Sequence, residues 1–272
     1  MKRIFAVAAM ALGMSAALAP AQVSAQASDK WQYSAIIYGW LPTIGGKTAF
    51  PGAVQSNDID VDVNTILSHL KFTFMGSLEA RKDRYGVFTD FIYLNVGGSK
   101  SQTRDVNVGG LPLPVGVTGD FNLDIKSVIW TIAGEYRVAT DPTAQVDLFA
   151  GARLLDMQQT LDWTFSADLG PINNPGRTGS KEVTASKWDG IVGAKGRIGI
   201  PGSREWFAPW YVDIGTGQTD LTWQALGGLG YRFSWGEVIA VWRYMDYKFK
   251  SGSPLEKINF NGPAMGVAFH WQ

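Results

Sequence analysis

The 272-residue chain has no cysteine and only two histidines. Without a thiol there is no disulfide framework, no thiolate zinc site and no cysteine nucleophile. Positive charge is not in excess: 24 basic side chains stand against 24 acidic ones, which removes the basic footprint of a nucleic-acid binder. Charged residues are also scarce, at 18% against roughly 25% in ordinary soluble domains. Beyond the N-terminal segment no apolar run approaches the ~20 residues a membrane helix needs, so a helical membrane protein is excluded. Nor does any stretch carry a convincing helical stripe. What the chain does have is 32 glycines and 11 tryptophans.

The N-terminus reads as an export leader. Lys2 and Arg3 form a charged n-region, residues 4–18 are apolar and alanine-rich, and Val23, Ser24 and Ala25 supply the small residues of a signal-peptidase site. The expected division is a cleaved secretory signal over residues 1–25 and one domain over 26–272. An N-terminal membrane anchor is the alternative, disfavoured because the apolar run is too short to span. Removing Lys2 and Arg3 leaves two more acids than bases.

Thereafter hydropathy alternates with a period of two. Leu221, Trp223, Ala225, Gly227, Leu229, Tyr231 and Phe233 share one parity; Thr222, Gln224, Leu226, Gly228, Gly230 and Arg232 hold the other. Phe72 to Ala80, Val128 to Val138, Val146 to Leu154, Trp188 to Ile198 and Val238 to Tyr244 repeat it, with glycine, threonine and single charges opposite. Short connections (82–84, 139–145, 199–205, 234–236) take turns with long ones (41–70, 97–119, 166–186). Tight turns on one side and long loops on the other are the mark of an outer-membrane barrel. Ten strands are predicted, near 31–40, 71–81, 85–96, 121–138, 146–160, 187–198, 206–217, 220–233, 238–249 and 258–271. Eight or twelve stay open because 47–63 also alternates, as loop strands or an extra hairpin. The expected fold is therefore all-β: a closed antiparallel transmembrane β-barrel.

Charge placement decides which parity meets lipid. An outward Arg or Lys at the bilayer midplane costs about 2–4 kcal/mol, so turning Arg153, Lys195 and Arg243 outward would cost on the order of 10 kcal/mol. These groups are expected in the lumen, with Glu79, Glu135 and Lys195 near the turn end, Asp90 and Arg243 at mid-height, and Arg153 and Asp213 above them. Aromatic residues fall near the strand ends, where the two interfacial girdles belong. Trp31, Tyr85, Tyr136, Trp206, Trp235 and Trp271 are placed at the turn end; Trp40, Tyr93, Trp163 and Trp188 at the loop end. The final strand, 264–272, carries Met265, Val267, Phe269 and Trp271 on one parity, like the signal by which barrels are recognised for assembly, although Gln272 follows the aromatic residue.

Four stretches carry a family resemblance: 58–93 (DIDVDVNTILSHLKFTFMGSLEARKDRYGVFTDFIY), 148–155 (LFAGARLL), 188–198 (WDGIVGAKGRI) and 220–249 (DLTWQALGGLGYRFSWGEVIAVWRYMDYKF). They resemble a family of uncharacterised proteobacterial outer-membrane β-barrel proteins. The resemblance implies fold and location and supplies no catalytic residue.

Other motifs are weaker. Asp58, Asp60, Asp62 and Asn64 alternate like a calcium loop but lack its glycine and its final acid, so an EF-hand is rejected and no metal is expected. Asn64 is placed as the cap of a short helix over 65–70. His69, beside Ser68, is the histidine nearest the loop side, and His270 lies at the turn end. Neighbours on a strand point to opposite faces, so Ser68 and His69 make a poor nucleophile–base pair. The expectation is an integral protein of a Gram-negative outer membrane, without cofactor or enzymatic activity, in contact with outer-membrane lipid, lipopolysaccharide and the barrel-assembly machinery. Two roles follow: a narrow pore for a small polar solute, or a structural or surface barrel whose inner charges merely fill it. A lipid-modifying or proteolytic outer-membrane enzyme, and a soluble periplasmic β-barrel binding protein, are the alternatives.

Overall fold

The structure is a computed structural model and describes residues 30–48, 57–61, 70–102, 117–141, 143–167, 177–253 and 255–272. The expected leader, Ser68, His69, Asp62 and Asn64 lie outside the described residues, as does the expected helix except for Leu70, which opens a strand. In chain order the strands are β1 (Gln32–Trp40), β2 (Thr43–Thr48), β3 (Asn57–Val61), β4 (Leu70–Lys82), β5 (Tyr85–Gln102) and β6 (Val117–Thr140). There follow β7 (Ala144–Ala167), β8 (Arg177–Gly199), β9 (Trp206–Gly217), β10 (Leu221–Arg232), β11 (Glu237–Lys248) and β12 (Leu255–Trp271).

Neighbouring strands pair antiparallel in sequence order, and β1 closes the sheet on β12 from Tyr33↔Trp271 to Trp40↔Ala264. β2 continues that register, from Thr43↔Asn261, so β1 and β2 are one wall strand bent at Leu41 and Pro42. Pro42 has no N–H to give the ladder, but Leu41 N still donates to Pro263 O at 3.0 Å and the wall stays joined. Counted so, the barrel has ten wall strands, while β3 returns beside β2 as the second arm of a hairpin. Of the alternating segment 47–63, residues 47–48 end β2 and 57–61 form β3, so its described part belongs to a hairpin, one of the readings the sequence leaves open.

The connections 97–119 and 166–186 also differ from expectation. β6 and β7 run for 24 residues and β8 for 23, against 12 each for β9, β10 and β11, so two tall hairpins rise on one side of the barrel. Apolar alternation ends before the ladder does, because a strand standing in water needs no greasy face. At the opposite end the strands are joined by tight turns. Asp83 takes a left-handed conformation (φ 54°) between β4 and β5, and Gly202 another (φ 84°) between β8 and β9. After β6, Asp141 accepts bonds at 2.7 Å from Thr143 N, Thr143 Oγ1 and Ala144 N, which hold its carboxyl below the usual range.

Ladder pairing fixes the two faces. Leu78, Val192, Leu229, Trp242 and Met265 are exposed on the outside, while Arg81, Arg153, Asp213 and Arg243 are buried inside. Pro209 sits in β9, and the β9–β10 pairing skips Ala208 and Pro209 without losing register. Gly193 in β8 lies beneath Phe149, which stacks on Tyr211 with centroids 4.9 Å apart. A Cβ at Gly193 would fall 2.5 Å from the Phe149 ring and 2.3 Å from Val212 O.

Gly193→Val should therefore lower stability by about 1–3 kcal/mol. The measurement is the urea midpoint of the refolded barrel in phospholipid vesicles, and an unchanged midpoint would contradict the close approach.

Candidate functional site

The described lumen is stacked in three layers. At the turn end, Arg81 Nη2 contacts Glu79 at 3.0 Å, Asp147 at 2.9 Å and Glu135. Arg137 donates to both oxygens of the Asp147 carboxylate, at 2.8 and 3.0 Å. Lys195 reaches Glu79 at 2.6 Å and Glu135 at 2.8 Å, with Phe88 beneath it at 4.1 Å. Three cations and three anions from β4, β6, β7 and β8 form one neutral lattice. Across the barrel, Arg197 and Arg232 meet a single oxygen of Glu237 at 3.0 and 3.1 Å, and His270 Nε2 lies 3.2 Å from the other.

The middle layer holds two guanidiniums. Arg243 reaches Asp90 at 2.8 Å, Tyr38 Oη at 2.9 Å and Gln224 at 2.8 Å, and Tyr38 donates to Asp90 at 2.8 Å. Arg153 pairs with Asp213 and also donates to Thr131 Oγ1 at 3.2 Å. Both members of the Arg153–Asp213 pair are completely shielded from solvent. Phe88 and Phe149 meet edge to face beside it, with centroids 5.2 Å apart. Each of these ionised groups has an oppositely charged partner; alone, each would leave a buried charge.

Above these layers the lumen turns apolar. Met75, Ile92, Ile129, Leu155, Met157, Met245, Tyr247, Ile258 and Phe260 pack into a continuous cluster, with Leu155, Met245, Tyr247 and Ile258 at 0% exposure. This cross-section receives side chains from nearly every wall strand. Below the middle layer lies a cavity of about 650 Å³, lined by Gln32, Phe207, Leu226, Ile239, Arg232 and Gln272 among others. Its roof is the Tyr38–Asp90–Arg243–Gln224 group, and its mouth is at the turn end.

All seven charged residues singled out in the sequence line this interior: Glu79, Glu135 and Lys195 meet in one cluster, Asp90 meets Arg243, and Arg153 meets Asp213. Tyr38, Arg81, Arg137, Asp147, Arg197, Tyr211, Gln224, Arg232 and Glu237 also line it, beyond the residues the sequence singles out. The same inward parity marks them, and six of the nine carry a charge. Among the aromatic residues, Trp31, Tyr85, Tyr136, Trp188, Trp206, Trp235 and Trp271 are exposed, and Tyr93 is half-buried on the outward parity of β5. Trp163 is in β7, but its side chain lies outside the described ones.

Trp40 is a correction. It is 3% exposed, turns into the lumen, donates Nε1–H to Gly262 O at 3.2 Å, and carries Arg243 over its ring at 4.9 Å. Tyr33 and Ile37 take the outward positions of β1, so Trp40 shares the inward parity of Tyr38. Nearness to the strand end suggests the girdle, but parity places Trp40 within.

Among the described residues no group of three or more His, Cys, Asp or Glu could hold a metal. Asp58 and Asp60 sit in β3, opposite Lys47 and Gly45 of β2.

No protein-family model matches the chain, and no curated protein matches it in sequence. Solved structures do. The chain is similar to the outer membrane protease OmpT from Escherichia coli, at 10% identity over 90% of this chain and 98% of that one, with a TM-score of 0.51. It also matches the translocator domain of the autotransporter NalP from Neisseria meningitidis (15% identity, 88% of each chain, TM-score 0.36) and the attachment invasion locus protein Ail of Yersinia pestis (14% identity, 89% of this chain and 98% of that one, TM-score 0.30). The fold is that of the outer-membrane β-barrels.

Asp213→Ala strands Arg153 without a counter-ion and should cost about 3–5 kcal/mol, read as a lowered urea midpoint in vesicles. The double variant Arg153→Met, Asp213→Leu should recover most of that loss. If it is no more stable than the single variant, the cost does not come from an uncompensated charge.

Proposed function

We propose that the chain is an integral barrel of a Gram-negative outer membrane whose lumen is sealed, and that it serves as a structural and surface-displaying protein without transport or catalysis. The apolar layer across the barrel carries this reading. Ions and polar solutes need a continuous wet path, and side chains at or near 0% exposure from facing strands leave none at that level. A ten-stranded wall is only slightly wider than the eight-stranded kind that side chains can fill.

Membrane residence is supported by the outer face. Leu78, Val192, Trp242 and Met265 are each more than half exposed, and they belong to a band that runs round the wall. A water-soluble barrel with such a surface would aggregate, which disfavours the soluble binding protein. Aromatic contacts gather at the turn end, where Trp206, Tyr231, Phe233, Trp235 and Phe269 follow one another at 4.6–6.0 Å. That ring suits the headgroup level of the inner leaflet, with phospholipid as its neighbour and lipopolysaccharide beside the loop end. Export through the leader and handling of β12 by the assembly machinery complete the reading. It puts the tight turns in the periplasm and the tall hairpins of β5–β8 outside the cell.

The open-pore role is set aside in favour of the sealed barrel, and the enzymatic role finds little support. His270 is bound to Glu237 at the turn end, far from the hairpins.

Purified protein in planar bilayers should show no conductance steps above background. Combined Leu155→Ala, Met245→Ala and Tyr247→Ala substitutions should open the apolar layer and produce steps. Conductance from the unaltered chain would refute the sealed lumen.

A further inference from the structure

The cavity at the turn end has two walls of different electrostatic character. On the β4–β8 side, Arg81, Arg137 and Lys195 are matched by Glu79, Glu135 and Asp147 and cross-bonded to them. On the β8–β12 side, two guanidiniums share one carboxylate. Arg197 commits Nη1 and Arg232 commits Nε to the same Glu237 oxygen, and the other oxygen faces His270. Glu237 is saturated, yet the group keeps one net positive charge. A guanidinium carries five N–H donors in a planar fork, so most of the hydrogen-bonding capacity of this pair is left over once Glu237 is served.

The position of the pair favours a ligand over bulk water. Arg197 and Arg232 both lie over the Phe207 ring, at 5.4 and 5.9 Å, which gives each guanidinium an aromatic neighbour besides Glu237. Gly230 makes this possible, since a Cβ there would lie 2.3 Å from the Phe207 ring. Leu226 and Ile239 line the same side of the cavity, which gives an apolar surface beside the two forks. A volume of about 650 Å³ is that of a typical small-molecule site. Because the roof is closed by Arg243 and its partners, the cavity is blind, and whatever enters must leave by the same mouth.

We propose that this cavity binds a soluble small anion, a carboxylate or phosphate monoester with a short apolar or aromatic tail. The acidic head lies on the Arg197–Arg232 forks, and the tail lies along Phe207, Leu226 and Ile239. Paired forks suit the bidentate geometry of carboxylate and phosphate. The site depends on the blind cavity; the side of the membrane it serves rests on the orientation given above.

The test is calorimetry with phenyl phosphate on the full chain in phosphatidylcholine nanodiscs, with empty nanodiscs subtracted. Saturable one-site binding is expected, about tenfold weaker in Arg232→Gln and weaker again in Arg197→Gln, Arg232→Gln. Benzyl alcohol, which lacks the charge, should give no saturable heat, and Lys248→Gln at the far rim should bind as the parent does. Arg232 is half exposed, so Arg232→Gln decides the matter even if the double variant does not fold. Absence of saturable binding overturns the proposal, as does equal affinity in Arg232→Gln. Displacement of phenyl phosphate by phosphatidylglycerol in the disc would overturn a soluble ligand and point to a lipid headgroup. Binding in a disc does not require a sealed lumen, so conductance and calorimetry fail independently.

Discussion

A β-strand offers each side chain two directions, and closing the sheet turns those directions into inside and outside. The β1–β12 ladder is the contact that makes the distinction binding for the whole wall. With it, no wall strand among the described residues is left with a free edge, which hydrocarbon demands and water does not. Without it, Arg153 and Arg243 would have no interior to face. The pairing of first and last strands thus governs where charge can reside, and the ion pairs follow from it.

Inside so narrow a wall, burying a charge is tolerable only with company. The guanidiniums of Arg81, Arg153 and Arg243 are each met by a carboxylate and at least one further acceptor, from strands far apart in sequence. Such pairs add little net stability over an apolar core of the same shape. They do fix register, since a strand displaced by one residue would turn its charges into lipid. The apolar layer above needs no such matching and fills the lumen there with Met75, Met157 and Met245 among others, side chains that adapt to irregular space.

Much of this was legible in the sequence, because period-two hydropathy is a direct record of a two-faced wall. Strand positions and inward parity could be read by counting residues from the turns, whereas Arg153 and Asp213, expected above Asp90 and Arg243, share their layer. Three features could not. The tall hairpins of β6, β7 and β8 continue after hydropathy stops alternating, carried by the backbone ladder. Trp40 was drawn to the membrane surface by its chemistry, whereas its parity and the acceptor at Gly262 place it within. The apolar seal was hidden because Leu155, Met245 and Ile258 occupy inward positions, and a greasy inward residue looks like noise when polar ones are expected.

Closure also sets an order in time. Trp40 pairs with Ala264, so the seam that completes the wall joins segments separated by most of the chain. Loop-closure entropy must be met before that contact contributes anything, which makes the joint slow to form. Until then, a nascent sheet has two bare edges and a face of leucine, valine and tryptophan turned to water, the condition in which chains stick to one another. The geometry that leaves the finished wall without an edge thus leaves its precursor open to aggregation until the last strand docks.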